Sequence, residues 1–347
     1  MAVTKVLVVD DSITMRALFS NALERSKDIV VVGAADGADE ARAMIAELRP
    51  DVLTLDVEMP GMNGIDFLAE LMETRPIPVV MLSTLTQKGA DISLRAIELG
   101  AVDCFPKPQR ATPDEFEKIS AKLCKTVITA AKTNLAARKL PAAMAPAAAP
   151  GDYEWQGEIV VVAGGMGGIE AASDMLTAFP ANCPPTVVSL AIDEGLGVPF
   201  ASRLSRSSAA KVKLAADGDL LEQGVVYVAI DPRFHVVVDR WPGGRLRLVD
   251  RDPVNGVRPS ADLLFGSVAK TGAAKSIGVI LSGDGSDGAA GIAAIKAAGG
   301  TCLVQDPATA LVPSMAHAAI ARGVTAMAAP GQLAAQACPT RSACVAA

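Results

Sequence analysis

Apolar residues in the N-terminal third follow two rhythms: short unbroken runs, and stretches where they recur every three to four residues. Lys5-Val6-Leu7-Val8-Val9 is a β-branched run that ends in Asp10-Asp11. Helical spacing follows over 14–25, through Met15, Leu18, Phe19 and Ala22. The alternation continues with a strand from Ile29 to Gly33, a helix over 38–48, a strand from Asp51 to Leu55 and a helix from Ile65 to Glu73. Val79 to Leu82 is a fourth strand, a helix lies near 89–99, and a fifth short strand near 101–105. Buried parallel strands read as continuous apolar runs, and βαβ alternation predicts a doubly wound parallel sheet, here of five strands. Right-handed crossovers bring all the strand carboxyl ends to one edge.

That edge gathers polar groups: Asp10 and Asp11 after the first strand, Asp56 after the third, Ser83 after the fourth and Lys107 after the fifth. The turn Pro60-Gly61-Met62-Asn63-Gly64 follows Asp56 at once. Any one of these reads as an ordinary loop residue; their convergence points to chemistry. Adjacent carboxylates repel unless a hard cation such as Mg²⁺ joins them. The same cation, with a lysine and a hydroxyl, can neutralise a transferring phosphoryl group.

Residues 109–157 change character. Phe116, Ile119, Leu123, Val127 and Leu135 share one helical face, and Lys118, Lys122, Lys125, Lys132, Arg138 and Lys139 the other. This pattern predicts a linker helix with a solvated basic face, then an Ala/Pro-rich tether over 141–150. From Glu158 an α/β pattern resumes. Strands are expected at 159–162, 186–190, 225–230, 277–281 and 301–305. A hairpin is inserted from His235 to Asp239 and Arg245 to Val249, with Pro242-Gly243-Gly244 as its turn. The glycine turn 163–168 between strand and helix resembles a phosphate cradle, but dinucleotide-binding spacing is not met. Residues after about 330 read as a frayed tail.

Composition narrows the function classes. The 347 residues are half apolar, with a net charge of −6 and a pI near 5.1, which argues against a nucleic-acid footprint. No charged and then apolar leader opens the sequence, and no apolar run approaches the ~18 residues of a membrane span, so a cytoplasmic chain without stable membrane insertion is expected. The six cysteines lack metal-ligand spacing, and only His235 and His317 are available as imidazole ligands.

Residues 4–108 resemble a response-regulator receiver domain, through Val8-Val9-Asp10-Asp11-Ser12, Leu55-Asp56 to Gly64, Met81-Leu82-Ser83 and Phe105-Pro106-Lys107-Pro108. The resemblance implies phosphorylation of Asp56 by a histidine kinase. It implies Mg²⁺ held by Asp10, Asp11, Asp56 and the backbone carbonyl of Glu58, and phosphoryl binding by Ser83 and Lys107. Family members carry an aromatic switch residue where this chain has Cys104. Residues 158–330 resemble the catalytic domain of CheB-type chemotaxis protein-glutamate methylesterases, through 253–265 and 278–289. Such enzymes demethylate chemoreceptor glutamyl esters, and many deamidate receptor glutamines, with a Ser-His-Asp triad.

The resemblance implies a receiver over 1–110, a linker over 111–157, a methylesterase-like domain over 158–330 and a tail over 331–347. It also places Gly165 at the nucleophile, Ala191 at the histidine and Asp287 at the acid, with Asp284 near the oxyanion site. Glycine has no nucleophilic atom and alanine no base. The expectation is therefore a chemotaxis-type regulator, charged by a histidine kinase, that has lost most or all esterase activity. It would act by binding chemoreceptors or signalling proteins, or as a phosphate acceptor. The alternative is an active methylesterase with a relocated nucleophile, Ser189, Ser282 or Ser286. Asp287, before a helix, has a simpler role as its N-cap.

Overall fold

The computed structural model describes residues 3–84, 87–108, 112–137, 153–192 and 194–339. The chain divides into two compact units, Met1–Leu135 and Ala136–Ala347.

The first unit runs β1 (Thr4–Val9), α1 (Ile13–Glu24), β2 (Ile29–Ala35), α2 (Ala38–Leu48), β3 (Val52–Asp56), α3 (Gly64–Thr74), β4 (Val79–Ser83), α4 (Gln87–Leu99), β5 (Asp103–Pro106) and α5 (Pro113–Ala130). Its strands form one parallel sheet in the order β2-β1-β3-β4-β5. β3 and β4 are buried along their whole length, as runs without alternation require when helices cover both faces. The order reverses direction at β1 and β3, which opens a crevice at their carboxyl ends. Pairing of Val9 with Leu55, Asp56 with Leu82 and Ser83 with Pro106 brings those ends level.

α5 belongs to this unit and is not the linker helix expected from its basic face. Its apolar face packs on α1: the rings of Phe19 and Phe116 meet edge-on at 4.8 Å, and the Cys124 thiol donates to the Ala22 carbonyl at 3.4 Å. Lys122 and Lys125 remain exposed on the opposite side. The expected tether over 141–150 lies outside the described residues.

The second unit runs β6 (Ile159–Gly164), α6 (Gly168–Leu176), β7 (Thr186–Leu190), α7 (Gly197–Ser207), β8 (Lys211–Leu214), β9 (Val225–Ala229), β10 (His235–Val238), β11 (Leu246–Val249) and α8 (Ala261–Gly272). It continues with β12 (Ser276–Ile280), α9 (Ala289–Ala297), β13 (Thr301–Gln305), α10 (Ser314–Ala321), β14 (Ala326–Ala328) and α11 (Pro330–Ala337). Seven strands pair in parallel as β14-β13-β12-β6-β7-β9-β8, and β10-β11 form the separate antiparallel hairpin. Phe265, Leu264 and Tyr227 anchor a core between this sheet, α8 and the hairpin.

The first part of the expected frayed tail is instead α11, Pro330–Ala337, and residues 340–347 lie outside the described residues. Leu333, Ala334 and Ala337 are buried, and the helix packs on α6. Alanines bury little area each but allow close helix approach, so the segment carries a weak apolar signal in sequence and still docks.

Candidate functional site

In the first unit the strand ends deliver the polar cluster that the sequence placed there. Asp10 is fully buried and Asp56 only 4% exposed. Lys107 Nζ lies 2.8 Å from Asp10 Oδ2 and 2.8 Å from Asp56 Oδ1, one ammonium bridging two carboxylates. Burial acts to lower the lysine pKa, but its bonds to both carboxylates outweigh this, and the net shift is upward. Burial raises Asp56, with the Asp10 charge adding to it and Lys107 opposing. The backbone holds the rest. Ser12 N–H donates to Asp10 Oδ1 at 3.0 Å, Glu58 N–H to Asp56 Oδ1 at 3.3 Å, and Arg16 donates to the carbonyls of Asp10 and Asp11. The turn after Asp56 folds back on it: a Cβ at Gly64 would sit 1.9 Å from the Asp56 carbonyl oxygen, so only glycine fits there.

Asp10, Asp11 and Asp56 each present an oxygen within 4.8 Å of the others. An all-carboxylate set at this spacing fits a hard divalent cation such as Mg²⁺. A small cavity lined by Asp56, Val57, Glu58, Ser83, Thr84, Gly89 and Ile92 lies over the Asp56 carboxylate. Sequence reading missed a residue behind its wall: Ser93 of α4, whose hydroxyl is 2.8 Å from that of the lining residue Ser83. A single serine among helical polar residues gives no sign in sequence that it is buried.

In the second unit positions 165 and 191 come together. A Cβ built at Gly165 would lie 3.9 Å from the Ala191 carbonyl oxygen, 3.8 Å from Asp284 N and 3.5 Å from Gly283 Cα. Neither residue supplies a nucleophile or a base. Asp287 is engaged elsewhere. Its carboxylate accepts from Ser260 Oγ (2.8 Å), Ala261 N (2.6 Å) and Asp262 N (3.1 Å), so it caps α8 through space and not the adjacent α9. His235 is fully buried; its Nδ1 accepts from Ser260 N–H at 3.1 Å, which leaves Nε2 to donate to the Asp252 carbonyl.

The three serines differ sharply. Ser189 and Ser282 are 3% and 1% exposed. Ser282 Oγ donates to the Met166 carbonyl at 2.8 Å and accepts from Val312 N at 2.9 Å, tying the glycine turn to the loop before α10. Ser286 is exposed. Gln305, also unforeseen, accepts from Ser282 N at 2.8 Å and fixes the same loop. No helix among the described residues is long and apolar enough to cross a membrane.

Comparison with known proteins agrees with this architecture. The family described as CheB methylesterase matches residues 160–337, and the response regulator receiver domain family matches residues 6–118. A Caulobacter vibrioides protein named protein-glutamate methylesterase/protein-glutamine glutaminase 1 is 50% identical, over 93% of each chain. A namesake from Agrobacterium fabrum is 42% identical, over 93% of this chain and 92% of its own. The crystal structure of the Thermotoga maritima CheB methylesterase catalytic domain superposes with a TM-score of 0.50 at 31% identity, covering 53% of this chain and 98% of that one.

Proposed function

The chain belongs to the CheB methylesterase family, and from that premise we propose that it is a phosphorylation-controlled response regulator of a chemotaxis-type two-component system. A histidine kinase transfers a phosphoryl group to Asp56. Asp10, Asp11, Asp56 and the Glu58 carbonyl would hold Mg²⁺, which would supply charge neutralisation there, and Ser83 and Lys107 bind the phosphoryl oxygens. The second unit then engages glutamyl side chains of chemoreceptors. The observation that carries the receiver half is Lys107 bridging the buried Asp56 and Asp10. That lysine is the counter-charge a phosphorylated Asp56 needs.

For the effector half, the name shared by relatives that match over nine-tenths of both chains favours chemoreceptor demethylation or deamidation over its loss. Turnover then requires a nucleophile other than residue 165. Ser286 is the accessible hydroxyl of the three considered, on the turn between Asp284 and Asp287. A second reading, binding without turnover, rests on one observation: positions 165 and 191 are adjacent and hold only glycine and alanine.

Methanol release from methylated chemoreceptor by the phosphorylated chain decides between them. Release abolished by Ser286→Ala supports the relocated nucleophile. Stoichiometric receptor binding with no methanol supports binding alone. Uptake of one acid-labile phosphate from a small phosphodonor, absent in Asp56→Asn, tests the receiver half separately.

A further inference from the structure

We propose that Ser93 is a positioning residue for phosphoryl transfer at Asp56, acting through Ser83. The inference rests on the reading of Asp56 as phosphoacceptor. Its basis is a count of protons. Ser93 Oγ lies 2.8 Å from Ser83 Oγ and 2.8 Å from the Gly89 carbonyl oxygen. A serine hydroxyl carries one proton. The Gly89 carbonyl can only accept, so the Ser93 proton goes there. The contact between the two hydroxyls is then made by the Ser83 proton, donated to Ser93. The chain of donation runs from Ser83 to Ser93 to Gly89.

The site needs that same proton elsewhere. Ser83 lines the cavity over Asp56, and its hydroxyl is the neutral donor there for a phosphoryl oxygen. Donating to the phosphoryl group requires Ser83 to leave Ser93. Ser93 loses nothing essential by this, because it keeps its own donation to Gly89. The cost of the exchange is one buried hydrogen bond, between residues 8% and 2% exposed. Ser93 therefore holds the hydroxyl out of use until a phosphoryl group competes for it.

The hold is anchored from a second strand. The Cys104 thiol donates to the Ser93 carbonyl at 3.3 Å, so one residue of α4 is bonded to side chains of both β4 and β5. Ser93 cannot drift aside as Ser83 turns, which makes the exchange an exclusive choice of partner.

The test measures beryllofluoride binding to the full chain in Mg²⁺ by fluorine NMR, with the lifetime of the phosphorylated protein beside it. Ser93→Ala removes the competitor and is expected to tighten beryllofluoride binding roughly three- to tenfold, the worth of one net hydrogen bond. Ser93→Thr keeps the hydroxyl and is expected to restore the parent affinity. In a Ser83→Ala background, Ser93→Ala is expected to change nothing, because no proton remains to contest. A purely structural serine predicts the reverse, with weaker or unchanged binding in Ser93→Ala and the same effect with or without Ser83. Either result overturns the proposal while leaving the Asp56 reading standing. Parent protein that binds no more beryllofluoride than Asp56→Asn would remove that reading and this proposal with it.

Discussion

Asp287 Oδ1 accepts the hydroxyl proton of Ser260 at 2.8 Å, and with Ala261 N and Asp262 N the carboxylate closes the start of α8. The acid that family resemblance assigns to catalysis thus has a full complement of structural partners. Replacing it by alanine leaves the Ser260 hydroxyl and two helix N–H groups buried without an acceptor. An N-cap is worth ~1 kcal/mol and a hydrogen bond to a charged group ~1.5–3 kcal/mol. Asp287→Ala is therefore expected to destabilise the second unit by about 3 kcal/mol, and Asp287→Asn, which keeps one oxygen, by about half as much. Urea denaturation followed through Trp155 and Trp241, both in this unit, measures the difference.

Thr54 offers a gain in place of a loss. Its hydroxyl is buried in β3 and is the only buried side-chain polar atom without a partner among the described residues. Valine has the same shape and no polar atom. Removing an unsatisfied hydroxyl recovers part of its desolvation cost, so Thr54→Val is expected to stabilise the first unit by about 1 kcal/mol. Thermal unfolding of the purified variant checks this; a lower midpoint would show that the hydroxyl is satisfied in solution.

Four of the thiols, Cys124, Cys183, Cys302 and Cys338, should be inert while the chain is folded. Burial pushes Cys183 up to about 12, with the Thr186 side chain and Gly224 N–H opposing. Burial likewise raises Cys124, Cys302 and Cys338. The thiolate is the reactive species, and a thiol of pKa ~12 is ionised in about one molecule in ten thousand at pH 8. Four of the six thiols are expected to resist an aromatic disulfide reagent in native protein and to react at once in denaturant. Raising the pH toward 12 should speed Cys183 about tenfold per unit, for as long as the fold survives. Mass spectrometry after timed labelling reads the count.

The receiver sheet and the cluster of Asp10, Asp56, Ser83 and Lys107 were legible in the sequence because both depend on strand ends, and strand ends are marked by apolar runs stopping at charged residues. What was misread depends on contacts between distant segments. The amphipathic face of α5 is plain, but periodicity does not say which surface covers it, and Phe116 turned out to meet Phe19. Asp287 precedes α9 in sequence yet caps α8, since a cap needs proximity in space and not along the chain. α11 buries alanines, whose small area leaves little rhythm to detect. Ser93 and Gln305 are buried polar residues whose partners alone reveal them.

The last prediction concerns the paired positions 165 and 191. The backbone at Gly165 has an ordinary negative φ, and a Cβ there makes only van der Waals contacts of 3.5–3.9 Å. Gly165→Ser with Ala191→His should therefore fold with a stability close to the parent's; Ala191 is exposed, and its N–H keeps its bond to the Gly164 carbonyl at 2.9 Å. Chemistry is a separate question. An imidazole at 191 needs an acid to fix its tautomer, and the loss of that support alone costs about 10⁴-fold in triad hydrolases. Here Asp287 is committed to Ser260 and the α8 N–H groups. Asp284, whose N–H lies 3.8 Å from a Cβ at position 165, brings a negative charge to the loop that flanks the site. The double substitution is thus expected to raise methanol release from methylated receptor by no more than about tenfold. Adding Asp284→Asn should raise it further by removing a charge that opposes the transition state. Adding Ser260→Ala should help as well, by removing one of the two donors held by Asp287 Oδ1. A double variant that reaches the rate of a triad-intact relative would show that neither Asp284 nor the α8 cap restrains the site.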